Sequence, residues 1–154
     1  MKSKAFTLIE LLVVISIIGL LSTVAVVSLE SSRSKARDGR RLADVRQLRA
    51  ALEVYFTNHN SYPSTGGSYE SILVGTGTLH VLETENLMAK LPVDPQSTGS
   101  PSAMTEYYYG SPGWWDTSWP YQIQFQLENR NPAAGNVHPT IPMWGPRYMY
   151  SVHP

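Results

Sequence analysis

The sequence contains no cysteine, and only 16% of its residues are charged. The absence of cysteine excludes a disulfide framework, a thiolate metal site and a cysteine nucleophile. Proline is missing from the first part of the chain, because all 11 prolines lie at or beyond Pro63. With 154 residues, the chain is long enough for one modest domain and an appendage.

Charge is unevenly distributed, although 12 basic and 12 acidic residues give a formal net charge of zero. Nine of the 12 basic residues lie before residue 50, whereas seven of the 12 acidic residues lie after residue 53. The basic part adjoins the most apolar stretch of the chain. An anionic membrane surface would attract such a segment.

The most apolar stretch runs for 24 residues from Phe6 to Leu29, and Glu10 is its only ionisable side chain. As a helix it would be about 36 Å long. The hydrocarbon core of a bilayer is about 30 Å thick, and about 20 apolar residues cross it. The pattern therefore predicts a transmembrane helix.

The flanks of the stretch indicate its orientation. Lys2 and Lys4 precede it, and a short positive segment before an apolar run keeps the N-terminus in the cytoplasm. The rest of the chain is then extracytoplasmic. A cleaved signal peptide is the alternative, but its apolar core is normally about 7 to 15 residues long, and only Ser22–Ala25 approaches a small-x-small cleavage site.

Glu10 is a carboxylate in an apolar environment without a cationic partner in the segment. A charged side chain costs about 2.5 to 3.5 kcal/mol at the centre of a membrane helix, and less near its end. It is either a tolerated carboxylate or one that awaits a cation. Cleavage between Ala5 and Phe6 would create an α-amino group one helical turn away, on the same chain or on a neighbour.

Residues 4–21, KAFTLIELLVVISIIGLL, resemble the N-terminus of type IV pilins and type II secretion pseudopilins. The resemblance implies that a prepilin peptidase cuts between Ala5 and Phe6 and methylates the new N-terminus at Phe6. It also implies that Glu10 pairs with the N-terminal amine of an adjacent subunit during filament assembly. Two positions depart from the family pattern, because Ala5 replaces the usual glycine and Val27 occupies a position where many pilins carry proline.

Residues 30–57 predict an amphipathic continuation of the helix. A positive collar at the membrane surface, later part of a solvated or salt-bridged face between subunits, is one interpretation of its basic residues. Nucleic-acid binding is another, although no aromatic residue lies among these arginines. The apolar positions that recur at helical spacing are Leu42, Val45, Leu48, Leu52, Tyr55 and Phe56. The basic positions are Arg33, Lys35, Arg37, Arg40, Arg41, Arg46 and Arg49.

The chain changes character after residue 57, where proline and glycine become frequent. We expect the long helix to end there, a short helix within 79–91, and strands at 107–109, 121–127 and 148–152. The predicted fold is therefore α+β and pilin-like, with a long N-terminal helix packed on a small antiparallel sheet. The expected segments are a leader (1–5), a transmembrane and filament-core helix (6–29), an amphipathic helix (30–57) and a loop-rich C-terminal domain (58–154).

Leu91-Pro92-Val93-Asp94-Pro95 resembles a motif that precedes the sheet in the major pseudopilin of type II secretion. Some pseudopilins bind calcium in this region, so the resemblance makes Asp94 and Asp116 candidate ligands, with Glu106 and Glu128 as further ones. Their spacing matches no calcium-loop motif, and we predict no metal site and no cofactor. The four tryptophans are either adhesive surface residues or part of the core, and they are Trp114, Trp115, Trp119 and Trp144.

No nucleophile elbow, metal-binding histidine pair or phosphate loop is present, so we expect a structural protein and no enzyme. The expected function is that of a subunit of a type IV pilus or a pilus-like filament. The alternatives are a type II secretion major pseudopilin and a membrane-anchored binding protein that does not polymerise. The resemblance implies further copies of the chain, a prepilin peptidase, an assembly ATPase and a platform protein as partners. It places the subunit in the cytoplasmic membrane before assembly and in an extracytoplasmic or cell-surface filament afterwards.

Overall fold

The structure, a computed structural model, describes residues 6–72, 76–99, 105–112, 119–129 and 148–152. The chain forms two compact units, Met1–Ala36 and Arg37–Pro154. Both predicted helical segments, the apolar one and the amphipathic one, are helical, and the sheet is small and antiparallel. The predicted pilin-like α+β fold is confirmed.

Helix α1 runs from Leu8 to His59 and contains 52 residues. Its first part is long and apolar enough to cross a membrane. The 16 large apolar side chains between Phe6 and Leu29 are 47 to 81% exposed. Two hydroxyls in this part bond within the helix, because Ser16 donates to the Leu12 carbonyl at 2.8 Å and Thr23 donates to the Leu20 carbonyl at 2.7 Å. Such internal bonds are what a low-dielectric environment requires of polar groups.

The end of α1 is set by asparagine and proline. Asn60 adopts a left-handed conformation with φ of 53°, and its backbone N–H donates to the Phe56 carbonyl at 2.7 Å. This is the bond that closes an αL cap, and Pro63 then prevents further helix. The helix ends two residues beyond the predicted position, residue 57.

Four strands form one antiparallel sheet in chain order. They are β1 (Tyr69–Ser71), β2 (Tyr108–Gly110), β3 (Gln122–Leu127) and β4 (Tyr148–Val152). Each pairs with the next, so β1 and β4 form the edges. Three of the strands match predicted ones, with β2 and β3 each starting one residue later.

The core lies within the second unit, where α1 packs on the sheet. Ile123, Phe125 and Leu127 alternate along β3 and are at most 1% exposed. They share one apolar cluster with Leu48 and Leu52 of α1, as the periodicity of the two elements predicts. The other buried apolar members are Val45, Ala51, Ile72, Leu79, Leu82, Leu91, Tyr107, Tyr109 and Tyr121.

Residues 64–91 contain one predicted element and one that was not predicted. The short helix expected within 79–91 is present as α2, His80–Thr84, and it ends early because Asn86 turns the chain with φ of 57° and the N–H groups of both Leu87 and Met88 fold back to one carbonyl. Strand β1 lies in a segment that we expected to be only a connection. Three residues are too few for a recognisable alternation, and pairing with β2 decides the conformation.

Gly110 allows the close approach of β1 and β2. A Cβ atom at this position would lie 2.7 Å from the Tyr69 ring. The ring is held by a hydrogen bond from its hydroxyl to the Gln122 side chain, so it has little freedom to move away. The sequence offers no direct sign of this contact, because the two residues are 41 positions apart.

We predict that Gly110→Ala lowers the free energy of unfolding by about 1 to 3 kcal/mol, because the added methyl overpacks the Tyr69 ring. Urea unfolding of the full chain in detergent micelles measures the loss. Gly39→Ala is the matched control, since a Cβ there meets nothing within 4 Å and alanine is the better helix former. Equal free energies of unfolding for the two variants would contradict the close packing of Gly110 against the Tyr69 ring.

Candidate assembly site and the Arg41 network

Two of the predicted processing and assembly residues are described by the structure, with Phe6 just before α1 and Glu10 in its first turn. Ala5 lies outside the described residues, whereas Phe6 is 79% exposed. Glu10 is also exposed, in the first turn of the helix. The first unit therefore presents both the proposed new N-terminal residue and the carboxylate.

Thr7 and Glu10 form a reciprocal cap at this end. The Thr7 backbone N–H and hydroxyl donate to Glu10 Oε2 at 3.0 and 2.8 Å, and the Glu10 N–H lies 3.3 Å from Thr7 Oγ1. This is the arrangement of a capping box, which satisfies N–H groups that a helix terminus leaves open. None of these three bonds uses Glu10 Oε1. The T-x-x-E spacing in front of an apolar run is a sequence signal for this cap, which gives Glu10 a structural role beside its charge.

A second group of polar residues lies inside the second unit, around the guanidinium of Arg41. Arg41 is 1% exposed and occupies the face of α1 that also carries Val45 and Leu48. Its Nε donates to Asp94 Oδ2 at 2.7 Å, and its Nη2 donates to Asp94 Oδ1 at 3.0 Å. This two-bond geometry uses the planar fork of arginine, which lysine lacks.

The same guanidinium bonds to three further side chains. Nη1 donates to Asp38 Oδ1 at 2.9 Å and to Glu128 Oε1 at 3.0 Å, and Nη2 donates to Gln96 Oε1 at 3.1 Å. Its partners therefore come from α1 itself, from the loop before β2 and from the end of β3. We call Arg37, Asp38, Arg41, Asp94 and Glu128 the Arg41 network.

Arg37 and Asp38 complete the network at the end of β3. Arg37 makes two bonds to Glu128, at 2.7 Å from Nε and 2.6 Å from Nη2. Asp38 accepts the backbone N–H groups of Glu128 and Asn129, each at 2.9 Å, and the Asn129 side-chain amide at 2.9 Å. One turn of α1 thus fixes both the side chain and the backbone at the point where β3 ends.

The pKa shifts of Glu128 and Arg41 both favour the charged forms of these side chains. Hydrogen bonds from Arg37 lower the pKa of Glu128 to about 2, against a smaller opposing effect of burial and with help from Arg41. Burial disfavours the charged form of Arg41, but the bonds and charges of Asp94, Glu128 and Asp38 outweigh it and raise its pKa. Both groups are therefore ionised at neutral pH.

The network changes the interpretation of two sets of residues. Arg37 and Arg41 were expected on a solvated or intersubunit face, and that expectation was wrong, because carboxylates of the same chain bind both. The candidate calcium ligand Asp94 has both of its oxygens on Arg41, and Glu128 has both on arginines, whereas Asp116 lies outside the described residues. A sequence signal was available: Asp38 and Arg41 precede Val45 at helical spacing and so belong to the buried face.

Four further basic residues of α1 lie at the surface. Arg33, Lys35 and Arg46 are exposed, and the side chain of Arg40 is 65% exposed, with its Nε 4.0 Å from Asp44. Trp119 is 37% exposed, and Trp114, Trp115 and Trp144 lie outside the described residues. Of the seven basic residues on which the nucleic-acid interpretation rests, Arg41 is buried and Arg37 is paired with Glu128, and the interpretation stays a prediction.

An exposed apolar helix that begins with a capped carboxylate and continues into a small α+β domain defines a pilin-like membrane subunit. Residues 1–26 match the family model of the prokaryotic N-terminal methylation motif. Type II secretion system core protein G of Escherichia coli K12 is 37% identical over 98 residues, which cover 61% of this chain and 67% of that protein. The same-named protein of Pseudomonas aeruginosa is 31% identical over 115 residues, 73% of this chain and 76% of that protein.

A third relative, core protein G of Vibrio cholerae, is 28% identical over 114 residues, 73% of each chain. No solved structure matches this chain significantly. The chain belongs to the family of type IV pilins and type II secretion pseudopilins. It is anchored in the cytoplasmic membrane through α1 before assembly and lies in an extracytoplasmic filament afterwards. Members of this family are structural subunits, and the expectation that this chain is no enzyme is consistent with that membership.

We predict that Arg41→Leu lowers the free energy of unfolding by about 3 to 5 kcal/mol, because it leaves buried carboxylates without their cation. Urea unfolding of the full chain in micelles measures the change. Arg46→Leu removes the same charge from an exposed position of the same helix, and we expect a change of at most about 0.5 kcal/mol. Similar losses in both variants would show that Arg41 acts only through net charge.

We also predict that the folded chain loses stability in acid, in part through Glu128. Its pKa falls from 4.5 to about 2 on folding, so the stabilisation it contributes is present above pH 4.5 and disappears as the pH falls towards 2. Glu128→Gln should lower the free energy of unfolding at pH 7 and should make it depend less on pH between 4.5 and 2. Urea unfolding at a series of pH values measures this, and parallel curves of unfolding free energy against pH for the two proteins would contradict the role of this carboxylate.

Proposed function

We propose that the chain is a structural subunit of a type II secretion pseudopilus and that it has the role of core protein G. The observation that carries this proposal is the extent of the similarity. The methylation motif ends at residue 26, and type IV pilins and pseudopilins share it. The similarity to core protein G covers 98 to 115 residues and therefore extends into the C-terminal domain.

The type IV pilus interpretation, the first of the two that the sequence allowed, is supported only by the N-terminal motif. The alignments with core protein G leave about a quarter to a third of each relative unmatched, so secretion activity itself belongs to the proposal. The apolar surface of α1 fits either interpretation, because it requires lipid before assembly or neighbouring helices in a filament as its environment.

Processing is proposed at the bond between Ala5 and Phe6, followed by N-methylation of Phe6. The new amine then pairs with Glu10 of an adjacent subunit. The cap leaves Glu10 Oε1 without a bond to Thr7, so an incoming ammonium group can bind this oxygen while Thr7 keeps Oε2. An ion pair in a low-dielectric environment is strongly favoured over an isolated charge. The processing peptidase, an assembly ATPase and a platform protein are the partners that this role requires.

Two measurements on cells test the role. Electron microscopy of sheared surface material is combined with mass spectrometry of the purified subunit, and export of proteins into the medium is compared between a deletion strain and its complemented form. We expect a subunit that begins at methylated Phe6, remains in the envelope and is required for export. Long surface filaments with normal export in the deletion strain would instead establish a type IV pilus subunit.

We predict that Glu10→Ala leaves membrane insertion intact and reduces filament yield on the order of tenfold or more, because the amine of the neighbouring subunit loses its partner. Membrane fractionation measures insertion, and electron microscopy of the overproduced subunit measures filaments. Glu30→Gln is the matched control, since this carboxylate lies on the same helix beyond the apolar stretch. Wild-type filament yield from Glu10→Ala would refute the pairing.

A further inference from the structure

Two exposed cations follow the apolar part of α1 at short distance. Arg33 and Lys35 lie four and six residues beyond Leu29, within the first compact unit, and both are exposed helical residues. The segment therefore places two positive charges directly beside the membrane span.

The spacing places these cations at the level of the lipid phosphates. With Glu10 at the cytoplasmic boundary, the 19 helical steps to Leu29 cover about 29 Å, which is close to the thickness of the hydrocarbon core. Arg33 and Lys35 then lie about 6 and 9 Å further out. The lipid headgroup layer is about 5 to 8 Å thick on each side. Helical side chains also lean towards the N-terminus, which here is towards the bilayer.

The other cations near this boundary have different positions or partners. Arg37 and Arg41 are bound by carboxylates of the Arg41 network. Arg40 and Arg46 belong to the second compact unit and follow Leu29 by 11 and 17 residues in the sequence. Arg33 and Lys35 are therefore the pair whose charge and height both fit the membrane surface.

The orientation of the chain supplies a second argument. Only Lys2 and Lys4 precede the span, whereas five basic residues lie between positions 30 and 41 on the extracytoplasmic side. This distribution opposes the usual excess of positive charge on the cytoplasmic side. The Arg41 network neutralises Arg37 and Arg41, and anionic lipids would compensate the two cations that lie closest to the bilayer.

We propose that Arg33 and Lys35 bind the phosphate groups of anionic phospholipids in the outer leaflet of the membrane that α1 crosses. These contacts hold the unassembled subunit at a defined depth. Extraction of the subunit into a filament breaks them, so the anionic lipid content of the membrane affects the ease of extraction. The proposal rests on membrane anchorage alone, because a chain that never polymerises would keep the same lipid contacts.

Lipid preference of the full chain tests the proposal. The protein is reconstituted into nanodiscs with equal amounts of phosphatidylglycerol and phosphatidylcholine, and native mass spectrometry measures the ratio of the two lipids that remain bound. A basic residue at an anionic surface contributes about a fivefold preference. We expect the wild-type protein to retain phosphatidylglycerol preferentially and the double variant Arg33→Gln, Lys35→Gln to lose most of that preference.

The control is Arg40→Gln, Arg46→Gln, which removes the same charge from exposed positions further along the same helix. It should keep the wild-type lipid ratio. Absence of a preference in the wild-type protein, or an equal loss in both double variants, would overturn the proposal. Filament yield is measured separately on the same variants, so a failure to polymerise is distinguished from a failure to bind lipid.

Discussion

The buried guanidinium of Arg41 is the interaction on which the packing of the second unit depends. A charge at 1% exposure is tolerated only when its donors are bound, and here its partners come from the helix, from the loop before β2 and from the end of β3. Removal of Asp94 or Glu128 would leave some of the N–H donors of this buried cation without an acceptor. The network therefore selects one orientation of the helix on the sheet, which apolar contacts alone specify less strictly.

Much of the fold follows from the sequence, because long periodic signals are hard to mistake. The apolar stretch from Phe6 to Leu29 and the period of Val45, Leu48 and Leu52 predict one long helix, and the alternation at 121–127 predicts β3. The short elements are different. Strand β1 owes its conformation to pairing with β2, and α2 stops early because Asn86 adopts a left-handed turn, so both depend on tertiary context or on a single residue.

The two groups of functional residues also differ in how far the sequence predicts them. Glu10 is recognisable from sequence because it is the only ionisable residue in an apolar stretch, and its cap by Thr7 follows from the T-x-x-E spacing. The Arg41 network was missed because arginine is assigned to the surface by default. The spacing of Arg41 from Val45 and Leu48 places it on the buried face of the helix and so contradicts that default. Its partners Asp94 and Glu128 are distant in sequence, and only the folded structure identifies them.

The sequence separations within the Arg41 network have a consequence for biogenesis. Asp94 and Glu128 follow Arg41 by 53 and 87 residues. During export the guanidinium therefore stays hydrated until most of the chain has left the membrane. The network is consequently complete only once Glu128 has been exported, and until then water solvates part of the Arg41 guanidinium.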